Sequence, residues 1–369
     1  MNNTIAYIVI IFIAILLIFS VSYFLGTQNV VSPATTTIAP IPTTTNTTTE
    51  VSTKNLGIGT WYPAIEAPVA GLPQCVTYNQ TAYCIIDNNT YYAKITPNSP
   101  YGLGQWYRSI SYPTSNGTVC FSYNSTAYCL SAGNTTGLAF YSTLSQNGFV
   151  GWKQTSPNPA AWGIYSCPTY EGYVYCTGGI YGYNVFSNTS FYAELSNSGI
   201  ETWKGSTPYP LKNEGELPLC VTYNGYMYCM GGENGNTATN ATYFAPIGTY
   251  GIGAWNETNP YPLPIEAESC SVDNGQILCV GGFTANNAIN TTYHAELTPS
   301  GISAWSQSSN YPIPIIASSC FSYANRFYCI GGQTALGRID KSTCTSYLCI
   351  PNVTAPKFTN SIYYAQIKH

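Results

Sequence analysis

Charged side chains are scarce in this chain of 369 residues. Only 7% of the residues are Asp, Glu, Lys or Arg, and the formal net charge is -4, whereas ordinary soluble domains carry about 25% charged residues. A nucleic-acid-binding surface needs a basic patch or stripe, so this composition excludes nucleic acid as a partner. Because few carboxylates are present to lose a native interaction on protonation, the composition also predicts a fold that tolerates acid.

Positive charge is absent from the N-terminal region, where no Lys or Arg precedes Lys54. The positive-inside rule therefore assigns no orientation to this region. Residues 5–25 are almost wholly apolar and uncharged, and a helix of that length spans about 30 Å, the thickness of a bilayer core. We predict a transmembrane helix over residues 5–25, with residues 1–4 in the cytoplasm. A cleaved signal peptide is the alternative, although its positively charged n-region is missing.

A Thr- and Pro-rich segment follows over residues 26–55. Such a composition favours extended, polyproline-like chain and cannot bury a core. At ~3.1 Å per residue the segment would reach roughly 60–90 Å. We predict a stalk that holds the next domain away from the membrane.

Cysteine is abundant, with 14 residues in an even, paired pattern. Six pairs stand nine positions apart around a turn-like dipeptide such as Asn224-Gly225, and this spacing places the paired residues opposite each other in a hairpin, about 4.5 Å apart. That separation suits a disulfide and not a zinc knuckle. The predicted disulfides are Cys75–Cys84, Cys120–Cys129, Cys167–Cys176, Cys220–Cys229, Cys270–Cys279, Cys320–Cys329 and Cys344–Cys349. They imply an oxidising compartment, so the domain is predicted to lie outside the cytoplasm.

The cysteine pairs belong to a longer repeat. Each pair precedes an aromatic doublet such as Tyr91-Tyr92, and a Gly and a Trp four positions apart, such as Gly102 and Trp106, follow. Four β segments per unit, with tryptophans every 45 to 52 residues, indicate propeller blades. We name the strands a and b (the hairpin), c (the aromatic doublet) and d (the Trp strand). One Trp strand, at 57–61, stands ahead of the first pair and would complete the last blade. We predict an all-β, six-bladed propeller over residues 56–369.

These residues resemble the kelch-repeat β-propeller family, whose repeats carry a Gly-Gly pair after strand b, then an aromatic residue, then a Trp. The Gly-Gly pairs are 178–179, 231–232, 281–282 and 331–332. The first two blades depart from this pattern. The resemblance implies a propeller fold and no particular activity, because the fold hosts enzymes, adhesion modules and scaffolds.

Histidine and arginine are too few for the enzyme activities that propellers host. His294 fills an aromatic slot of strand c and His369 stands alone, so no Ser-His-Asp or Cys-His constellation assembles. A kelch-like copper radical oxidase needs two His ligands, and a sialidase-like hydrolase needs three converging arginines. Arg326 follows an a–b turn, whereas Arg338 lies in a b–c loop at the opposite end. We predict no enzyme activity, no metal and no cofactor; a propeller glycoside hydrolase is a less favoured alternative.

The b–c and d–a connections share one rim of the propeller, which we name the loop face. They are long and variable, and recognition usually resides in loops on a rigid scaffold. The predicted binding residues on this face are Tyr112, Tyr209, Tyr261 and Tyr311 in Tyr-Pro segments, and the cations Arg338, Lys341 and Lys357. The alternative for the Tyr-Pro units is that they only stiffen the turns.

Asn-x-Ser/Thr sequons are frequent beyond residue 25. The predicted N-glycosylation sites are Asn79, Asn116, Asn124, Asn188, Asn240 and Asn290, of which Asn79 and Asn124 stand at hairpin tips. We predict a membrane-tethered surface protein that binds proteins or glycans through the loop face. A structural component of an envelope lattice is the alternative.

Overall fold

The structure, a computed structural model, describes residues 56–114, 118–131, 137–159, 166–181, 185–210, 218–234, 237–285, 287–334 and 357–369. Every regular element within these ranges is a β-strand. In this part of the chain no helix is long and apolar enough to cross a bilayer. The predicted anchor at 5–25 and the stalk at 26–55 lie outside the described residues.

The first two blades are four-stranded antiparallel sheets with the strand order a-b-c-d. Blade 1 consists of β2 (Pro73–Tyr78), β3 (Thr81–Ile86), β4 (Asn89–Thr96) and β5 (Gly102–Arg108). Blade 2 consists of β6 (Thr118–Tyr123), β7 (Thr126–Ser131), β8 (Ala139–Ser145) and β9 (Gly148–Gln154).

In the next three blades strand d is split into two short pieces that both pair with strand c. Blade 3 consists of β10 (Thr169–Tyr170), β11 (Tyr173–Thr177), β14 (Ser190–Ser196), β15 (Gly199–Ile200) and β16 (Lys204–Ser206). Blade 4 consists of β17 (Leu219–Tyr223), β18 (Tyr226–Met230), β21 (Thr242–Gly248), β22 (Gly251–Ile252) and β23 (Asn256–Glu257). Blade 5 consists of β24 (Ser269–Asp273), β25 (Gln276–Val280), β26 (Thr292–Thr298), β27 (Gly301–Ile302) and β28 (Ser306–Gln307).

Blade 6 is assembled from both ends of the described chain. It consists of β29 (Ser319–Tyr323), β30 (Arg326–Ile330), β33 (Ile362–Lys368) and β1 (Gly57–Pro63). Strand β1 pairs antiparallel with β33, with Ile58 opposite Ile367 and Trp61 opposite Ala365. The innermost strands contact one another in the order β2, β6, β10, β17, β24, β29 and back to β2. The predicted six-bladed propeller, closed by the displaced Trp strand, is confirmed.

Three blades carry a two-stranded ribbon in their b–c connection. The ribbons are β12 (Ile180–Tyr181) with β13 (Val185–Phe186), β19 (Glu233–Asn234) with β20 (Thr237–Ala238), and β31 (Gln333–Thr334) with β32 (Lys357–Phe358). They extend the loop face of blades 3, 4 and 6.

The hairpin disulfides form as the spacing predicts. Asn224 and Gly225 both have positive φ, 47° and 78°, as a two-residue hairpin turn requires, and Cys220 lies opposite Cys229. All six blades contain this disulfide, with Cα atoms 4.1–4.2 Å apart. The seventh predicted pair, Cys344 with Cys349, lies outside the described residues.

The core lies between neighbouring blades, and a repeated hydroxyl contact aligns them. In five of the six blades a Ser or Thr three positions after the Trp accepts the backbone N–H of an apolar residue in strand d of the next blade; blade 6 has Ala64 at this position. Ser206 Oγ accepts from Ile252 N at 2.6 Å. Gly251, the residue before Ile252, has φ +96°, and a Cβ added there would lie 2.7 Å from the Ser206 hydroxyl. The same approach of a hydroxyl explains the glycine that begins five of the six Trp strands, whereas in blade 1 a Cβ at Gly102 would meet the Tyr364 ring.

Candidate recognition surfaces

The four tyrosines predicted to form the loop-face binding site are buried, so that prediction is wrong for their side chains. Tyr112, Tyr209, Tyr261 and Tyr311 are only 1–3% exposed. Each ring packs edge-on against a Trp at 4.8–5.1 Å, as in the pairs Trp152–Tyr112 and Trp61–Tyr311. The physical reason is that the tyrosine fills the space between strands c and d of the adjoining blade, where edge-to-face aromatic packing is favourable.

The prolines that follow these tyrosines are the exposed part of the segments. Pro262, Pro264, Pro312 and Pro314 are exposed.

Of the predicted cations, Lys357 is exposed in β32, while Arg338 and Lys341 lie outside the described residues. The cationic cluster of the loop face therefore stays a prediction.

The opposite rim, which we name the turn face, is formed by the a–b and c–d turns and is rich in tyrosine. The residue three positions after the first cysteine is a half-buried tyrosine in five blades, and it is Asp273 in blade 5. These tyrosines are Tyr78, Tyr123, Tyr170, Tyr223 and Tyr323. The tyrosine three positions after the first cysteine is visible in the sequence repeat. Periodicity alone, however, does not show which tyrosine rings reach the surface.

Two of these rings extend to the a–b turn of the next blade. A Cβ added at Gly275 would lie 2.9 Å from the Tyr223 hydroxyl, and one at Gly172 would lie 3.3 Å from the Tyr123 hydroxyl. Tyr123 and Tyr223 therefore bridge neighbouring blades, and in both places a glycine in the turn admits the ring.

A second set of tyrosines, on strand b, holds the c–d turns. The hydroxyl donates to a backbone carbonyl of the next blade's c–d turn at 2.8–3.1 Å. The pairs are Tyr83 with Ser145, Tyr128 with Ser196, Tyr175 with Gly248, and Tyr228 with Thr298. Because buried hydroxyls with partners restrain their neighbours, the turn face is a rigid surface.

On the turn face of blades 3 and 4 we name the tyrosine patch, which consists of Tyr170, Tyr173 and Tyr250 together with Glu171 and Glu194. Burial raises the pKa of Tyr175 above its ordinary value, and nearby Tyr173, Tyr250, Glu171 and Tyr170 raise it further. Four residues of the patch therefore lie near the Tyr175 hydroxyl. Tyr250 is 62% exposed.

Two carboxylates stand beside patch tyrosines. Tyr173 lies opposite Glu194 across strands β11 and β14, and desolvation followed by the Glu194 charge raises the pKa of Tyr173. Desolvation and the Glu171 charge do the same for the pKa of Tyr170. A carboxylate beside a phenol forms an acceptor-rich, amphipathic surface.

Arg326 is the cation of the turn face near the seam of blades 6 and 1. Its guanidinium lies 4.6 Å from the centre of the Tyr364 ring, and Nη1 donates to the Ser99 carbonyl at 3.1 Å. Tyr364 donates to the Pro100 carbonyl at 2.7 Å. Arg326 therefore joins two blades through cation–π and hydrogen-bond contacts.

The sequons divide into two structural groups. Asn79 and Asn124 are exposed at hairpin tips. Asn188 and Asn290 are half-buried, and their Nδ2 atoms donate to the carbonyls of Tyr209 and Tyr311 at 3.2 and 3.0 Å. Asn240 stands at the equivalent, half-buried position in blade 4, and Asn116 lies outside the described residues.

His294 and Glu268 are two further titratable residues whose side chains are partly or fully buried. His294 Nδ1 lies 2.9 Å from Ser308 Oγ, and burial followed by the Lys368 charge lowers the pKa of His294. Glu268 is buried, with Oε1 lacking a hydrogen-bond partner. Within the described ranges, no three His, Cys, Asp or Glu side chains are grouped to hold a metal ion.

Comparisons with known proteins identify the architecture. No protein-family model and no curated protein matches this chain. The solved structure of YjhT aligns with a TM-score of 0.62 and 14% sequence identity, over 74% of this chain and 94% of that chain. The fold is a six-bladed β-propeller. At this identity the likeness supports the fold alone, and the kelch-family resemblance stays a prediction.

Proposed function

We propose that this protein is a non-catalytic recognition protein of the cell surface, anchored by residues 5–25, with the propeller outside the cytoplasm. Disulfides in all six blades support an oxidising location. The low charge of the chain favours a partner that is recognised by shape, aromatic contact and neutral hydrogen bonds.

The observation that carries the proposal is the contrast between the two faces. The four tyrosines of the Tyr-Pro segments on the loop face are buried against tryptophan, whereas Tyr170, Tyr173 and Tyr250 on the turn face are half-buried or exposed and stand beside short, hydrogen-bonded turns. Rigid amphipathic rings supply contact area at little cost in conformational entropy. The ligand surface is therefore assigned to the turn face.

A capture experiment from the native envelope tests this assignment. Full-length protein would be immobilised in detergent, and bound glycans or proteins would be identified by mass spectrometry. The turn-face variant carries Tyr173→Ser and Tyr250→Ser; the loop-face control lacks residues 335–356. We expect the turn-face variant to lose the captured component and the control to retain it.

The opposite pattern would move recognition to the loop face. If wild-type protein captures nothing above a heat-unfolded control, the recognition function is refuted. Regular two-dimensional arrays of the protein on isolated membranes, together with that result, would support an envelope lattice instead.

A further inference from the structure

We propose that the tyrosine patch of blades 3 and 4 is a carbohydrate-binding site that takes a neutral oligosaccharide. This inference rests on the proposed recognition function and adds the location and the chemical class of the ligand. It is carried by three observations: the convergence of the aromatic rings, the placement of two carboxylates beside them, and the rigidity of the turns beneath.

The rings converge because the two blades are joined directly under the patch. The Tyr175 hydroxyl donates to the Gly248 carbonyl at 3.1 Å. The Tyr250 ring folds back over the same residue, since a Cβ at Gly248 would lie 2.8 Å from Tyr250 Cε1. The Tyr173 ring of blade 3 lies 6.4 Å from the Tyr175 ring, and Tyr250 of blade 4 is near enough to raise the pKa of the same Tyr175 hydroxyl.

Tyr170 extends the patch toward the propeller axis. It pairs with Tyr173 across the a–b turn, and the backbone of Gly225 in the blade 4 turn is near enough to lower the pKa of its hydroxyl, although desolvation and the Glu171 charge raise it more. The half-buried rings of Tyr170 and Tyr173 in blade 3 and the exposed ring of Tyr250 in blade 4 therefore lie on the turn face, on either side of the seam between the two blades.

This chemistry fits a neutral sugar. Aromatic faces pack against the apolar C–H face of a sugar ring, and phenol and carboxylate oxygens accept hydrogen bonds from its hydroxyl groups. Glu171 and Glu194 are both exposed, so an anionic glycan would meet like charge. Hydrogen bonds to charged acceptors are stronger than neutral ones, which gives the carboxylates a part in affinity as well as selection.

A protein partner is the competing occupant. Tyrosine is enriched among the desolvated anchors of protein interfaces, so the rings by themselves fit either ligand and the carboxylates beside them decide. The rings of this patch carry hydroxyl groups, and two of them are flanked by carboxylates. Desolvating those carboxylates against a flat protein surface without new partners would be costly, so the geometry favours a ligand that brings many hydroxyl donors.

The test uses full-length protein in a detergent without a sugar headgroup. A panel of neutral oligosaccharides built from hexoses and N-acetylhexosamines would be screened on an array, and the best binder titrated calorimetrically. We expect Tyr250→Ala to weaken binding about tenfold, through loss of aromatic packing, and Glu194→Gln to weaken it by a similar factor.

The matched control is Tyr101→Ala. Tyr101 is 59% exposed on the c–d turn of blade 1, the same kind of position as Tyr250 but on a distant blade. We expect the affinity of the Tyr101→Ala variant for the oligosaccharide to stay within about twofold of wild type. Disulfide content and thermal midpoint of each variant, measured alongside, show that a lost affinity does not reflect unfolding.

Two results would overturn the inference. One is that no neutral oligosaccharide binds folded wild-type protein; the other is that binding survives in both patch variants. If envelope capture nevertheless depends on Tyr173 and Tyr250, the proposed recognition function stands and the ligand is a protein. If capture also fails, the proposed function falls with the carbohydrate site.

Discussion

The side-chain amide of Gln276 donates a hydrogen bond of 3.1 Å to the carbonyl oxygen of Lys368, and its oxygen accepts the Gly57 N–H. One buried side chain thus contacts both strands that close the ring. In blades 1 to 4 a strand-b tyrosine donates to the next blade's c–d turn instead. Blade 6 has no c–d turn, because its strand d is β1, and Leu278 replaces the tyrosine in blade 5.

Gln276→Leu should therefore destabilise ring closure. Gln276 is 2% exposed, and its loss leaves the buried Gly57 N–H and the part-buried Lys368 carbonyl without this partner, at a cost of about 1–3 kcal/mol. Thermal or denaturant unfolding measures the loss. Gln307→Leu, at an exposed position of the same blade, is the control and should change stability by less than about 0.5 kcal/mol. Equal effects of the two substitutions would contradict a closing role for Gln276.

Removing one hairpin disulfide should cost about 2–3 kcal/mol, because each bridge closes a ten-residue loop in the unfolded chain. The double variant Cys220→Ala and Cys229→Ala removes one bridge with little loss of packing. Reduction of all six bridges should lower the thermal midpoint further than the double variant does. An unchanged midpoint under reductant, with free thiols shown by mass spectrometry, would make the bridges dispensable.

Glu268 should make the free energy of unfolding of the propeller fall as the pH rises from about 4.5 to about 8. Burial raises the pKa of Glu268 from 4.5 to about 8, so the folded state keeps its proton where the unfolded chain has lost it. Stability is therefore greatest below about pH 4.5 and declines by a few kcal/mol as the pH rises toward 8. The groups beside Glu268 include the carboxyl of Glu266 and the buried hydroxyl of Tyr261.

Glu268→Gln should flatten this decline, since the amide does not ionise. Denaturant midpoints measured between pH 4 and pH 8 provide the test, with Glu257→Gln at an exposed position as the control. A slope that persists in the Glu268 variant, or stability that rises with pH in wild type, would show that another group governs the dependence.

Asn290→Ala should cost about 1 kcal/mol, because it removes the Nδ2 hydrogen bond to the Tyr311 carbonyl. Asn256→Ala is a matched control: it also removes a sequon, but Asn256 is exposed and bonds only to nearby Ala254. The amide nitrogen of Asn290 is the atom that a glycan would modify. Glycopeptide mass spectrometry should accordingly find sugar at the exposed tips, Asn79 or Asn124, and none at Asn290; a glycan at Asn290 would refute the structural role.

Local spacing determined the hairpins. A two-residue turn at 224–225 leaves one register for the strands beside it, so the opposition of Cys220 and Cys229 followed from chain geometry. The displaced Trp strand at 57–61 likewise required a partner at the other end of the repeat, and β33 supplies it.

What each aromatic ring contacts was decided by tertiary structure. Tyr311 and Tyr250 are both tyrosines in connections between strands, yet the first is 1% exposed and the second 62%. Whether a ring is covered depends on the neighbouring blade, which contributes the Trp or the turn that meets it; for Tyr311 this is Trp61, from the other end of the described chain. The repeat pattern therefore determined the blades, and the packing of one blade on the next decided which face displays its tyrosines.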